Sequence, residues 1–375
     1  MPAAGQFNSG QDKPIPQYRT MGNGHDGNTG ECMGMNQGGE VRGAGIEGGG
    51  SIFDPALYVP TQGFMGCPNS YDLEGCKLAI LGMPFDCGRH PVRIGARQGP
   101  FAIREQSALV RPYLPPGLDF NPLTALGVVD CGDAKVMPGR IEPSFEVMEA
   151  ALREIAGRGV RTLTMGGDGS VTLPQLRALH RIYPDLVVLH LDAHTDTYPG
   201  SGQEHHNTAT TFTRAAEEGL IDTANSLHIG ARGPTYLPGV FEHTRAHGYE
   251  LISGVDLMAR GIEATLAHIH ARLAGRPIYL CWDMDFFDPS CAPGVCTPTW
   301  GGITSREGLA ILQGLQGLEF VAFDVNTVSP PHDVGGMTAF LAGTVMLEFL
   351  YLACHAPGLA SGLDLSGATK GSEQR

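Results

Sequence analysis

An α/β fold, with one parallel sheet covered by helices on both faces, is the architecture this 375-residue sequence predicts. Three observations carry the prediction. Eight short apolar runs recur along the chain, each continuous rather than alternating, as strands buried on both faces require. Stretches of helical period lie between the runs, the alternation from which a parallel sheet is assembled. Aspartates follow several of the runs, at the sheet edge where ligands of such folds gather.

Taken in order, KLAILGM at 77–83 predicts the first strand and 100–108 the helix after it. LGVVD at 126–130 is followed by a helix over 143–158, and VRTLTM at 160–165 by one over 171–182. The strand LVVLHL at 186–191 leads to a helix at 208–219. Two short runs, SLHIG at 226–230 and YELI at 249–252, precede a long helix at 257–273. PIYLCW at 277–282, a helix at 305–316, LEFVAFD at 318–324 and a helix at 337–354 complete the pattern. There is no internal repeat and no sign of a second domain.

The ends differ in composition. Residues 1–50 hold 14 glycines and finish in Gly48-Gly49-Gly50; such a segment buries too little apolar surface to offset its backbone entropy and is expected to be a flexible arm. Residues 51–75, with Phe53, Leu57, Tyr58, Phe64 and Met65 among glycines and prolines, read as a lead-in arm packed on the domain or on a partner. The α/β domain is expected over 76–360, with a polar tail at 361–375.

With 42% hydrophobic and 17% charged residues the chain has material for a core. A formal net charge of −14 argues against nucleic acid or an anionic membrane as partner, since both need a basic surface. Nine cysteines, an odd number with no CxxC pair, suit thiols in a reducing compartment better than a disulfide framework. No leader pattern opens the chain, and Glu348 interrupts the most apolar segment at 343–354. A cytoplasmic location is expected.

Asp86, Asp168, Asp192, Asp283 and Asp324 all stand at the ends of predicted strands. Any one of them could simply cap the next helix, but five at one edge exceed what capping or solubility needs. The strongest motif is Asp192-Ala193-His194-Thr195-Asp196, where alternate residues leaving a strand can face one centre. Carboxylates and imidazole together suit divalent Mn, Ni, Co or Zn. Asp283-Met284-Asp285 adds two carboxylates spaced for terminal and bridging roles at a metal pair. Four converging carboxylates without a cation would repel strongly.

Gly166-Gly167-Asp168-Gly169-Ser170, the DAHTD block at 192–196 and DMDFFDP with Ala292-Pro293-Gly294 resemble the signature blocks of the ureohydrolases, the arginase and agmatinase family. GMPFD at 82–86 with Gly95-Ala96-Arg97, and Ser329-Pro330-Pro331 with Asp333 and Thr338-Ala339, resemble its terminal blocks. The match runs in order over roughly 76–355. It implies a three-layer α/β/α fold with a mainly parallel eight-stranded sheet, assemblies of three or six subunits, and a binuclear Mn or Ni centre that hydrolyses guanidinium groups to urea. By that resemblance Asp192, Asp196 and Asp283 match ligands of one metal, and Asp192, His194, Asp283 and Asp285 those of the other.

Three family positions are altered. The remaining ligand of the first metal is a histidine in the family, and here it is Gly169. The histidine proposed to shuttle protons is replaced by Thr208, whose hydroxyl does not titrate near neutrality. The glutamate that binds the guanidinium is replaced by Thr327, which removes a charge-assisted hydrogen bond. His205 and His206 lie near Thr208 as possible compensation, or as surface and subunit-contact residues.

The pattern implies a non-catalytic or weakly catalytic subunit that assembles with an active paralogue, in a hetero-oligomer expected to be a hexamer. It resembles the degraded subunit of the nickel-dependent heteromeric metformin hydrolases within the family. A self-sufficient hydrolase of a guanidine, guanidino acid or biguanide is the first alternative, and a small-cation binding protein the second.

Overall fold

The computed structural model describes residues 63–88, 92–200 and 205–363. The expected arm at 1–50, residues 51–62 of the lead-in and residues 364–375 of the tail lie outside the described residues. The described residues fold on one sheet of eight strands, every pair parallel. The strands are β1 Leu78–Gly82, β2 Val129–Asp133, β3 Arg161–Met165, β4 Val187–Leu191, β5 Leu227–Ile229, β6 Glu250–Ile252, β7 Ile278–Asp283 and β8 Phe320–Asn326. Their order is β2-β1-β3-β8-β7-β4-β5-β6.

The helices are α1 Gly99–Gln106, α2 Pro122–Leu126, α3 Ile141–Ala156, α4 Thr172–His180, α5 Thr211–Glu217 and α6 Val240–Ala246. They continue with α7 Gly254–Arg260, α8 Ile262–Leu273, α9 Ser305–Gly314, α10 Met337–His355 and α11 Pro357–Ala360. Alternate strand residues feed two cores. Leu78, Ile80, Leu163, Leu189 and Leu280 pack with α1, α2, α8, α9 and α10, whereas Ala79, Leu81, Val188 and Tyr279 pack with α3, α4 and α5. The three layers follow directly from side chains pointing to opposite faces of a buried sheet.

Several boundaries moved for identifiable reasons. The second strand begins at Val129 rather than 126, because α2 fills the preceding turn and ends on Gly127 at φ 56°. Glycine supplies that left-handed cap without a Cβ clash. The helix expected over 257–273 is two helices, broken at Gly261 (φ 80°). The helix expected at 208 starts at 211, after a 3-10 turn capped by Asn207. Helices α2, α6 and α11 had no forecast.

The described end of the lead-in is anchored. Phe64 is fully buried, and its N–H donates to Asp130 at 3.0 Å. Arg104 clamps the same carboxylate with bonds of 2.8 and 2.9 Å. Removing Arg104 would strand a buried carboxylate, at a cost of about 3–5 kcal/mol. Helix α10 is long and apolar enough to cross a membrane by composition, yet 78% of its apolar window is buried inside the protein. It is a core helix, and its buried Glu348 accepts a hydrogen bond from Gln313 at 2.9 Å.

Candidate metal centre

Strand order creates the site. β3 and β4 follow each other in sequence yet are separated in the sheet by β8 and β7, so the loops after these four strands open over a common crevice. Register supplies the fine placement. Leu191 pairs with Trp282, and Asp283 with Asn326, which sets the residues just beyond β4, β7 and β8 side by side.

There the ligand atoms of Asp192, His194 and Asp285 all lie within 4.8 Å of one another. His194 Nδ1 is 3.2 Å from Asp192 Oδ1 and 3.1 Å from Asp285 Oδ2. Backbone donors hold the carboxylates: the His194 N–H donates to Asp192 Oδ1 at 2.6 Å, and the Ala193 N–H to Asp285 Oδ1 at 3.1 Å. His190, Asp192 and Asp196 form a second close group of donors. Asp192, Asp196, Asp283 and Asp285 are all buried.

Burial works to raise the pKa of Asp192, but the His190 and His194 imidazoles pull it well below the usual carboxylate range. Burial, then the charge of Asp192, raises Asp196 and Asp285. Asp283 is raised by burial and then by Asp285 and Asp192. For His194 burial favours the neutral ring, yet Asp285 and Asp192 carry its pKa well above the ordinary value. Such a cluster of buried like charges fits a divalent cation, and the Asp192, His194 and Asp285 set meets the donor chemistry of Mn or Ni.

The altered positions lie in the same crevice. A Cβ built on Gly169 would fall 2.7 Å from Thr208 Oγ1 and 2.9 Å from Asp196 Oδ2. The two substituted positions are therefore neighbours, and the threonine hydroxyl takes up space beside Asp196. Thr327 adopts φ 66°, a left-handed backbone that β-branched residues rarely hold. Its hydroxyl donates to Asp283 Oδ1, which also accepts the Asp285 N–H at 2.7 Å. Asp283 is thus engaged by hydrogen bonds and is absent from both close donor groups. Gly167 admits no side chain, because a Cβ would lie 1.5 Å from the Phe85 carbonyl oxygen.

Of the other strand-end aspartates, Asp86 pairs with Arg97 at 2.6 Å, and Asp168 accepts from Ser170 and Cys87. Both line the crevice. Asp324 does not. It sits inside β8 rather than after it, fully buried, and accepts from Thr164, Thr172, Tyr279 and Asn326. It braces the sheet. His205 accepts from Arg214 at 2.9 Å, the His206 ring lies tilted against Phe145, and neither lines the crevice.

The crevice has a volume of about 920 Å³ and is rimmed by Tyr198, Tyr236, Trp300 and Arg93. Tyr236 and Trp300 are largely exposed. Sequence reasoning missed these rim residues, which no motif marks. It also missed His190 and His228, although His190 stands two residues before Asp192 and so shares its strand face.

A model of the Arginase family matches residues 76–351. Guanidinopropionase of Pseudomonas aeruginosa is 39% identical over 301 residues, which cover 80% of this chain and 92% of that protein. Guanidinobutyrase of the same organism is 34% identical over 289 residues, covering 77% and 89%. Among solved structures, proclavaminate amidino hydrolase from Streptomyces clavuligerus superimposes with a TM-score of 0.75 at 34% identity, covering 80% of this chain and 98% of that one. With the all-parallel sheet and its carboxylate-rich crevice, these matches show that the chain belongs to the arginase family.

Proposed function

We propose that the chain is a non-catalytic or weakly catalytic ureohydrolase-type subunit, needed for assembly or stability of an active paralogue in a hetero-oligomer, with a hexamer as the expected size. The crowding at Gly169 carries this reading. Gly169 itself offers no imidazole, and the Thr208 hydroxyl occupies the approach to Asp196 that a side chain there would take. Thr327 adds to it by engaging Asp283 instead of offering a carboxylate to a guanidinium. The complex would act on a guanidine or biguanide of the metformin class, releasing urea or a guanylurea-type product, in the cytoplasm.

In this reading Asp192, His194 and Asp285 would hold one divalent ion, Mn or Ni, with Asp196 and Asp283 beside it. When bound, such an ion supplies Lewis acidity and lowers the pKa of water toward neutrality. The chain's own part is structural. Backbone N–H groups orient Asp192 and Asp285, and Thr327 restrains Asp283.

A second reading, a self-sufficient guanidino hydrolase, is favoured by the intact Asp192, His194 and Asp285 set and by relatives named for guanidino acids. One experiment separates the two. The chain is purified alone and after co-expression with an intact paralogue, and metal content and urea release are measured from agmatine, guanidine and metformin. Fewer than two metals per chain, no urea from the chain alone and a mixed oligomer are expected. Robust turnover by the isolated chain would overturn the subunit reading in favour of the second.

A further inference from the structure

Behind Asp192 lies a buried pair of imidazoles with one closed set of partners. His190 on β4 and His228 on β5 are register partners, and both are buried. Their Nδ1 atoms approach to 2.9 Å, with the rings nearly perpendicular at 83°. His190 Nε2 is 2.9 Å from Asp192 Oδ2. Phe212 packs on both rings and Tyr249 on His228, with centroids 4.4 to 4.8 Å apart. His228 Nε2 is buried and has no hydrogen-bond partner.

These contacts determine where the protons sit. A carboxylate only accepts, so His190 Nε2 carries the hydrogen it gives to Asp192. One hydrogen lies between the two Nδ1 atoms, and it belongs to His228: on His190 it would force His228 to carry its own hydrogen on Nε2, which is buried without an acceptor. His228 Nε2 is left as a lone pair among aromatic rings. The opposite arrangement, with His190 Nε2 facing a metal as a ligand, would place the hydrogen on His190 Nδ1. It would also leave a buried His228 Nε2–H with no acceptor, and orphaned donors are rarer than orphaned acceptors.

We infer that His228 and His190 form a positioning relay that holds the Asp192 carboxylate from behind and turns its Oδ1 toward His194 and Asp285. His190 is thereby a support of Asp192 and not a replacement for the missing histidine at Gly169. Imidazole partners of metal-binding carboxylates and imidazoles orient them, and losing such a partner typically weakens metal binding by about 10–100-fold. The affinity consequence rests on the metal reading given above; the proton positions do not.

Two measurements test it. Long-range proton–nitrogen NMR of the full chain, histidine-labelled and treated with chelator, reads the tautomers, with assignment by H190Q and H228N. Hydrogen on His190 Nε2 and on His228 Nδ1 is expected. Hydrogen on His190 Nδ1 and His228 Nε2 overturns the relay. Titration with Mn²⁺ and with Ni²⁺ then compares His228→Asn, whose amide can donate as Nδ1–H does, with His228→Leu. The leucine variant should lose about 10–100-fold in affinity and the asparagine variant only a few-fold. Equal affinities for the two overturn the relay. If the unmodified chain binds neither ion, the metal reading falls while the tautomers still decide the relay.

Discussion

Replacing Gly169 with histidine, alone and together with Thr208→Ala, probes the crowding that separates this chain from an intact metal pair. The new Cβ would lie 2.7 Å from Thr208 Oγ1 and 2.9 Å from Asp196 Oδ2, where ordinary contact begins at 3.4 Å. The backbone at Gly169 is outside the left-handed region, so no strain from φ enters. Overpacking of this kind costs about 1–3 kcal/mol, which lowers Tm by about 2–6 °C in a domain of this size. Thr208→Ala removes the nearer clashing atom. The double variant should recover about 1–2 kcal/mol as a coupling between neighbours. Calorimetry in chelator gives the four stabilities, and elemental analysis after metal loading gives the ion count. The double variant, with an imidazole beside Asp196, should bind more metal than the parent. If Gly169→His melts at the parental temperature, or if the two changes simply add, the crowding argument is wrong.

Three further outcomes follow from single contacts. Thr327→Val keeps the shape but removes the hydroxyl donated to Asp283. It should cost about 1.5–3 kcal/mol in urea unfolding, the range for a hydrogen bond to a charged group; an unchanged midpoint would show that the bond contributes nothing. His194, raised well above its ordinary 6.5 by Asp285 and Asp192 against the pull of burial, must lose its proton when metal binds. Mn²⁺ affinity should therefore rise with pH by up to about tenfold per unit below the folded pKa, and a flat calorimetric profile would remove His194 from the site. Asp86 is buried, which works to raise its pKa, but the Arg97 guanidinium lowers it below 3.8. Its stabilisation is present above 3.8 and lost as pH falls through the lower folded value. Asp86→Asn should be less stable than the parent at neutral pH and should converge with it in acid; a constant difference across the acid limb would refute the assignment.

Much of this protein was legible because its signals are local. Continuous apolar runs mark strands with both faces covered, and a helical period between them dictates parallel pairing; the eight strands lie close to where those runs stand. The alternate spacing of Asp192, His194 and Asp196, and of Asp283 and Asp285, likewise states which side chains leave a strand end together. Three family positions could be seen to be altered for the same reason. What they contact could not, because Gly169, Thr208 and Thr327 come from loops far apart in sequence, and only the register of β4, β7 and β8 brings the loops over one crevice. Tertiary packing decided that Thr208 lies against Gly169 and Asp196, and that Thr327 reaches Asp283. It also decided that Asp324 turns into the sheet toward hydroxyl donors instead of toward the site. A residue's type and period specify which way it can point; which atom it meets is set by the neighbour that another strand delivers.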